Sequence, residues 1–354
     1  MCESTPPSRP SSERHYAIDT LKCIAAFLVV VLHYGYVVTD DGVGRASFAF
    51  NALTRLAVPL FFMITGFYFV LTYRRGRVKH QVKRLLCLTG FAVVLYAIFE
   101  VAWYAVTGHL DVLIEQVRWH GPVTSELGKL FIFNEVTAIF HLWYLLAAIY
   151  AVIAMWAFEH WKLWSKPLIA FFLVVMLYAA LLSGYSDTPY PLVRNFLTIG
   201  IPCMLIGRWI YEYQLNHTKG WLTSPSVIFL GILLAVTMVV VQMLMRIHHM
   251  GMVPQAQFDL PVGAPMLAAA LLMLAIRFPM LGRNTVLPVI GAKYSGYIYV
   301  FHVIPGTVLR TWIHVYDYLS LLAPVLVFAI SLVMAIVWVR IKSAYPSVRL
   351  FRMI

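Results

Sequence analysis

Ten stretches of this chain are each long and apolar enough to cross a membrane as a helix. They cover about 18–38, 54–73, 85–106, 138–158, 167–183, 195–213, 225–245, 261–280, 287–310 and 319–340. A transmembrane helix needs roughly 20 mostly apolar residues. Hydrocarbon offers no partner to a backbone N–H or C=O, so each crossing has to satisfy its own, as a helix does. The run 167–183 is short, and 195–213 carries Pro202 and Arg208. The expected fold is therefore an all-α integral membrane protein, a bundle of about ten transmembrane helices with both termini cytoplasmic. Its parts would be a polar N-terminal tail (1–17), a ten-helix membrane domain (18–340) and a basic C-terminal tail (341–354).

Composition points the same way. Of 354 residues, 61% are hydrophobic and 12% charged, with a mean hydropathy of +0.80. A soluble domain is about half apolar and about a quarter charged, so a water-soluble enzyme is excluded. The net charge is +12. On a soluble protein that would suggest nucleic acid; on so apolar a chain it reads as positive loops facing the cytoplasm, and no nucleic-acid partner is expected. Cys2, Cys23, Cys87 and Cys203 share no CxxC or metal-ligand spacing, so neither a disulfide framework nor a metal site is expected. No short apolar segment with a small-residue cleavage site follows Met1–Glu13, and the first run reads as a retained span.

With the N-terminus inside, the connections divide unequally. Nineteen Lys and Arg fall inside: Arg9, Arg14, Arg74, Arg75, Arg77, Lys79, Lys83, Arg84, Lys162, Lys166, Arg208, Lys219, Arg277, Arg283, Lys293, Arg340, Lys342, Arg349 and Arg352. Seven fall outside: Arg45, Arg55, Arg118, Lys129, Arg194, Arg246 and Arg310. The bias supports ten crossings, because a miscounted span would scramble the later loops. The longest outside loop, about 107–137, is too short for a separate domain.

Ionisable groups inside spans are expensive and face the bundle interior or a wet cavity. Five stand out: Lys22, His33, Glu100, His141 and His302. Lys22 and His33 are eleven residues apart, which puts them on one helix face about 16 Å apart along the axis. Asp19, one turn before Lys22, is placed to pair with it, and a boundary pair of that kind also fits snorkelling to the headgroups. Ser295, Tyr299 and His302 line one face of the ninth run. His33, Glu100 and His302 each lie about 15 residues, or roughly 22 Å, from the inner start of their runs. His141 enters the fourth run from outside, about three residues in. Each alone is explained by an ordinary buried hydrogen bond; four at similar depth suggest a site. A histidine suits general-base work, and a carboxylate such as Glu100 could orient it.

The connection RRGRVKHQVKR (74–84) holds six of the inside cations. It reads equally as a topology and lipid-contact signal or as a site for a polyanion such as a nucleotide phosphate, since Arg forks match phosphate oxygens. No P-loop, dinucleotide fingerprint, HExxH or GxSxG stands in a suitable context.

Four stretches carry a resemblance: IDTLKCIAAFLVVVLH (18–33), VPLFFMITGFYF (58–69), FHLWYLLAAIY (140–150) and YSGYIYVFHV (294–303). In these the chain resembles the integral membrane acyltransferase 3 family, most closely its O-acetyltransferases of enterobacterial common antigen type. The resemblance implies a ten-helix bundle in a bacterial inner membrane. It implies acetyl-CoA as a diffusing acyl donor with no permanently bound cofactor, and a sugar hydroxyl of a cell-surface polysaccharide or its lipid-linked precursor as acceptor. His33 matches the family's first-span histidine. Lys22 stands where the family has arginine, keeping the charge but not bidentate recognition. Thr65–Gly66 matches the second-span SG pair, and Trp143 and His302 match the fourth- and ninth-span motifs. In the mechanism expected, Arg74, Arg75, Arg77, Lys83 and Arg84 hold the CoA phosphates, with Lys22 at the inner mouth. Catalysis would fall to His33 as base, oriented by Glu100, with Ser295, Tyr299 or His302 stabilising the oxyanion. Thr65, His141 and Trp143 would line the substrate path. Membrane lipids are further partners, and self-association is left open. Rival readings are a proton-coupled transporter, a non-catalytic sensor, and transfer of another acyl group such as succinyl to a different glycan.

Overall fold

The structure, a computed structural model, describes residues 15–35, 38–39, 42–43, 51–117, 140–185, 190–216, 220–250, 259–312 and 322–345. Arg9, Arg14, Arg45, Arg118, Lys129, Lys219, Arg349, Arg352, Cys2 and most of the loop 107–137 lie outside the described residues.

The main helices are α1 (Tyr16–Tyr34), α2 (Ala57–Arg74), α3 (Val78–Thr107), α4 (Trp143–His160), α5 (Lys166–Tyr185), α6 (Ile201–Asn216), α7 (Pro225–Met250), α8 (Gly263–Arg277), α9 (Leu287–Lys293), α10 (Ser295–Phe301), α11 (Val303–Trp312) and α12 (Ala323–Ala344). Apart from a hairpin pairing Val38 with Val43 and Thr39 with Gly42, the described regular structure is helical. Seven of the described helices are long and apolar enough to cross a membrane: α1, the stretch Asn51–Arg74 that ends in α2, α3, α4, α5, α7 and α12. The protein is thus a multi-pass membrane protein.

The other three apolar runs are helical too, but short or interrupted. The run 261–280 yields only the fifteen residues of α8. In 195–213 a wide turn, Phe196–Gly200, precedes α6. Pro202 offers no N–H to the carbonyl four residues back, and Ile201 N–H bonds to Phe196 instead. The run 287–310 splits into α9, α10 and α11, with breaks at Tyr294 and His302. Pro305 lies four residues after Phe301 and cannot donate to its carbonyl, which loosens the chain at the second break.

Between membrane helices, close backbone approach replaces the hydrophobic drive that water would supply. A Cβ on Gly66 of α2 would sit 2.1 Å from the Met204 carbonyl oxygen, and one on Gly207 of α6 1.9 Å from that of Met63. These reciprocal glycines let α2 and α6 pack backbone to backbone. Gly291 does the same for α9 against α1, where a Cβ would meet the Asp19 carbonyl oxygen at 1.8 Å. The lipid-facing character of α3 shows in exposed Val94, Ile98, Val101 and Val106.

Candidate functional site

One end of the bundle carries the basic connection. Arg74 closes α2, Gly76 makes the turn with a φ of 65°, and α3 begins at Val78. Arg74, Arg75, Arg77, Lys83 and Arg84 are all exposed. None forms an ion pair with a described acidic residue, in contrast to Arg208 at the same end of α6, which bonds Glu159 at 3.0 Å and Glu212 at 2.8 Å. A turn or so deeper, Lys22 pairs with Asp19 at 3.1 Å and lies 5.6 Å from the centre of the Tyr68 ring on α2.

The opposite end gathers three histidines from three parts of the chain. His33 lies in the last turn of α1, His302 at the break between α10 and α11, and His141 in the tight turn Phe140–Leu142 before α4. The His33 and His302 rings are 5.2 Å apart between centres, and those of His141 and His302 6.2 Å. Tyr96 packs its ring 4.3 Å from His141 and donates its hydroxyl to the Val300 carbonyl at 2.6 Å. Tyr299 donates to the carbonyl oxygen of His141, tying α10 to that turn.

His302 is fully buried and its Nδ1 lies 2.7 Å from the Tyr299 carbonyl oxygen. A carbonyl only accepts, so in the neutral ring Nδ1 carries the hydrogen and Nε2 presents a lone pair. That Nε2 has no hydrogen-bond partner among the described residues. The half-buried His33 ring likewise makes no hydrogen bond to a described residue.

The remaining expected site residues divide by position. Thr65 gives its hydroxyl to the Phe61 carbonyl at 2.8 Å and lies beside Tyr144, whose ring is 5.3 Å from Tyr299. Ser295 donates to Gly291 at 2.7 Å and sits about 10 Å along the axis from His302, toward the basic end. The hydrogens of Ser295, Tyr299 and His302 Nδ1 are all engaged by backbone carbonyls, so none of the three is an open oxyanion donor. Glu100 is half-buried on α3, one turn from Tyr96, and no hydrogen bond or ion pair links it to His33. The orienting contact expected of it is not made.

Sequence reading missed a second cluster at the histidine end. Arg55 and Arg194, counted as outside-loop charges, both bind the carboxylate of Asp259, Arg55 at Oδ1 and Arg194 at Oδ2. The side chain of Asp259 is 2% exposed, against 10% for Arg55 and 16% for Arg194. Arg194 also lies 5.9 Å from the centre of the Trp143 ring. Arg246, a third cation of that set, is fully buried and donates to the Ser183 carbonyl. Asn195 accepts from Leu197 N–H at 2.8 Å and Thr198 N–H at 3.1 Å, capping the wide turn and fixing the backbone next to Arg194.

Comparison with known proteins adds the family. A family model described as an acyltransferase domain matches residues 15–341. A protein of Enterococcus faecalis named amino-acid racemase is 24% identical over 224 residues, 62% of this chain and 28% of that protein. The chain therefore matches less than a third of that relative's length. No solved structure matches. With membrane-spanning helices along its length and the acyltransferase match covering nearly all of it, the chain belongs to the acyltransferase 3 family.

Proposed function

We propose that this protein is an O-acetyltransferase of a bacterial inner membrane with ten crossings and both termini cytoplasmic. It would move an acetyl group from cytoplasmic acetyl-CoA to a sugar hydroxyl of a cell-surface polysaccharide or its lipid-linked precursor. The observation that carries this reading is the pairing of His33, its ring nitrogens open, with the tautomer-fixed His302, at the end of the bundle opposite the basic connection.

In the reaction, exposed Arg74, Arg75, Arg77, Lys83 and Arg84 hold the phosphates of CoA, with Lys22 nearer the bundle interior. The acyl-bearing arm reaches along the first helix toward His33. His33 takes the proton of the acceptor hydroxyl as its oxygen attacks the thioester carbonyl. The C–S bond breaks, and the CoA thiolate recovers the proton from the His33 imidazolium. The orienting role first given to Glu100 passes to His302. A rotation of the His33 ring lets one N–H point at the His302 Nε2 lone pair, leaving the other nitrogen to face the substrate. Tyr299 and His141 hold that pair in place through the Tyr299–His141 hydrogen bond. Thr65, Trp143 and Ser295 line the path without open donors at the reacting atoms.

The test is acetyl transfer from radiolabelled acetyl-CoA to membrane glycans by the protein in lipid nanodiscs. His33→Ala lowers kcat about 10²–10⁴-fold, the usual effect of losing a general base, and keeps acetyl-CoA binding. Near-normal transfer by that variant would reject the assignment. A proton-coupled carrier would leave no label on glycan in the wild type.

A further inference from the structure

The mechanism above leaves Glu100 without a task. It lies in the membrane-spanning stretch Val78–Thr107, where an ionised carboxylate is costly and normally has a partner or a wet cavity. Glu100 is half-buried and makes no hydrogen bond or ion pair among the described residues. It does not share the lipid-facing side of α3. Buried Tyr96, one turn earlier, marks the side that faces the bundle. Glu100 lies about 40° round the helix axis from Tyr96, whereas exposed Val94, Ile98 and Val101 lie roughly 140–160° away from it. Tyr96 is itself tied into the histidine site, its ring 4.3 Å from that of His141 and its hydroxyl on the Val300 carbonyl, two residues before His302. Helical side chains lean toward the N-terminus of their helix, so the Glu100 side chain covers the turn that carries Tyr96. Trp103 lies about 20° from Tyr96 on its other flank, one turn from Glu100. It is half-buried, and its ring stands nearly parallel to that of Phe99, 6.0 Å away at 21°.

A carboxylate that serves structure in a span has its partners built in. Glu159 shows this, holding Arg208 on one oxygen and the Trp164 indole N–H on the other. Glu100 has an aromatic neighbour instead of a donor. An ionised carboxylate only accepts, so whatever completes Glu100 must donate. Its two oxygens match two neighbouring hydroxyls of a pyranose, or an ammonium group in place of one of them. An indole ring suits the C–H face of the same sugar, whose hydrogens meet the negative face of the π system. A carboxylate and an indole on adjacent turns, one turn from the histidine site, therefore fit a polyol rather than an anion or an acyl chain.

We infer that Glu100 and Trp103 form a subsite for the acceptor sugar, Glu100 accepting from its hydroxyl or ammonium groups and Trp103 covering its C–H face. This rests on the acyltransfer reading for the role of His33, but the binding it describes does not require turnover. Glu100 sets which sugar is held; no proton or acyl group passes through it.

The probes are methyl glucoside, glucosamine and methyl 2,3-dideoxyglucoside, which has no neighbouring pair of hydroxyls. Each is titrated against the full chain in nanodiscs, with binding read from the sugar's own NMR signals. The wild type binds methyl glucoside or glucosamine about ten- to a hundredfold more tightly than the dideoxy sugar, as expected for hydrogen bonds to a charged group. Which of the two binds more tightly assigns hydroxyl or ammonium as the donor. Glu100→Gln, of nearly the same size, abolishes the preference, and Glu100→Asp, which keeps the charge on a shorter arm, retains part of it. Trp103→Ala weakens all three sugars alike, since each offers a C–H face. His33→Ala leaves the preference intact while transfer is lost, so sugar binding and catalysis fail separately. A preference in a wild type that transfers no label would reject the acyltransfer reading and keep the subsite. Thermal unfolding of each variant confirms that it is folded, and Glu100→Asp serves where Glu100→Gln does not fold. Equal or absent binding of all three sugars by the wild type overturns the proposal. So does a preference that survives Glu100→Gln.

Discussion

The two ends of the bundle both gather arginines, and they treat them in opposite ways. At the end where α2 turns into α3, six cations stand exposed and none pairs with a described acid. At the other end, two arginines are largely withdrawn from solvent and both are bound to one carboxylate. Exposed charges cost little and are screened over about 8 Å in physiological salt. They suit a large, flexible polyanion arriving from solution, and they also serve topology. Buried charges are costly, rigid and little screened, so their presence calls for a use. Under the proposed function the exposed end would capture the donor and the buried end would orient the reactants; it is there that His33 and His302 lie side by side.

Substitutions that separate capture from orientation test this contrast. His33→Ala has the largest effect, about 10²–10⁴-fold on kcat; an equal loss of acetyl-CoA binding would mean that the two ends are not separate. Next comes His302→Ala. Losing a hydrogen bond to a group that becomes charged is worth about 1.5–3 kcal/mol, or roughly ten- to a hundredfold on kcat. In the His33→Ala background the same change should add almost nothing, since a positioning residue acts only through its partner. Fully additive losses would show that His302 acts by itself. Smallest is the double change Arg74→Ala with Arg77→Ala. It should raise KM for acetyl-CoA about tenfold with kcat unchanged, the effect shrinking as salt is added. A fall in kcat at saturating acetyl-CoA would move that connection into the chemistry.

What could be read from the sequence follows from range. A span declares itself within twenty residues, and each apolar run is indeed mostly helical. Counting from the start of a run also placed His33, His141 and His302 at a common depth, and they meet. Pro202 and Pro305 were visible, but what each does to its span depends on which carbonyls find other donors. Glu100 shared the depth of the histidines, yet depth says nothing about which way a helix faces, and no bond joins it to His33. Arg55, Arg194 and Arg246 were the larger omission. At the edges of apolar runs they look like ordinary outside charges, and only folding brings Asp259 across 204 residues to Arg55. Three of the seven cations that weakened the inside bias are in fact committed to buried partners.

Under the proposed function the acyl donor enters at the basic end and the acceptor is modified at the histidine end. The most direct measurement uses sealed vesicles in which the protein has one known orientation, with labelled acetyl-CoA confined to one side. Acetylated glycan should form when acetyl-CoA meets the Arg74–Arg84 face, with the label on glycan at the opposite face. Equal labelling from either side, or labelling only when acetyl-CoA meets the histidine end, would contradict the account.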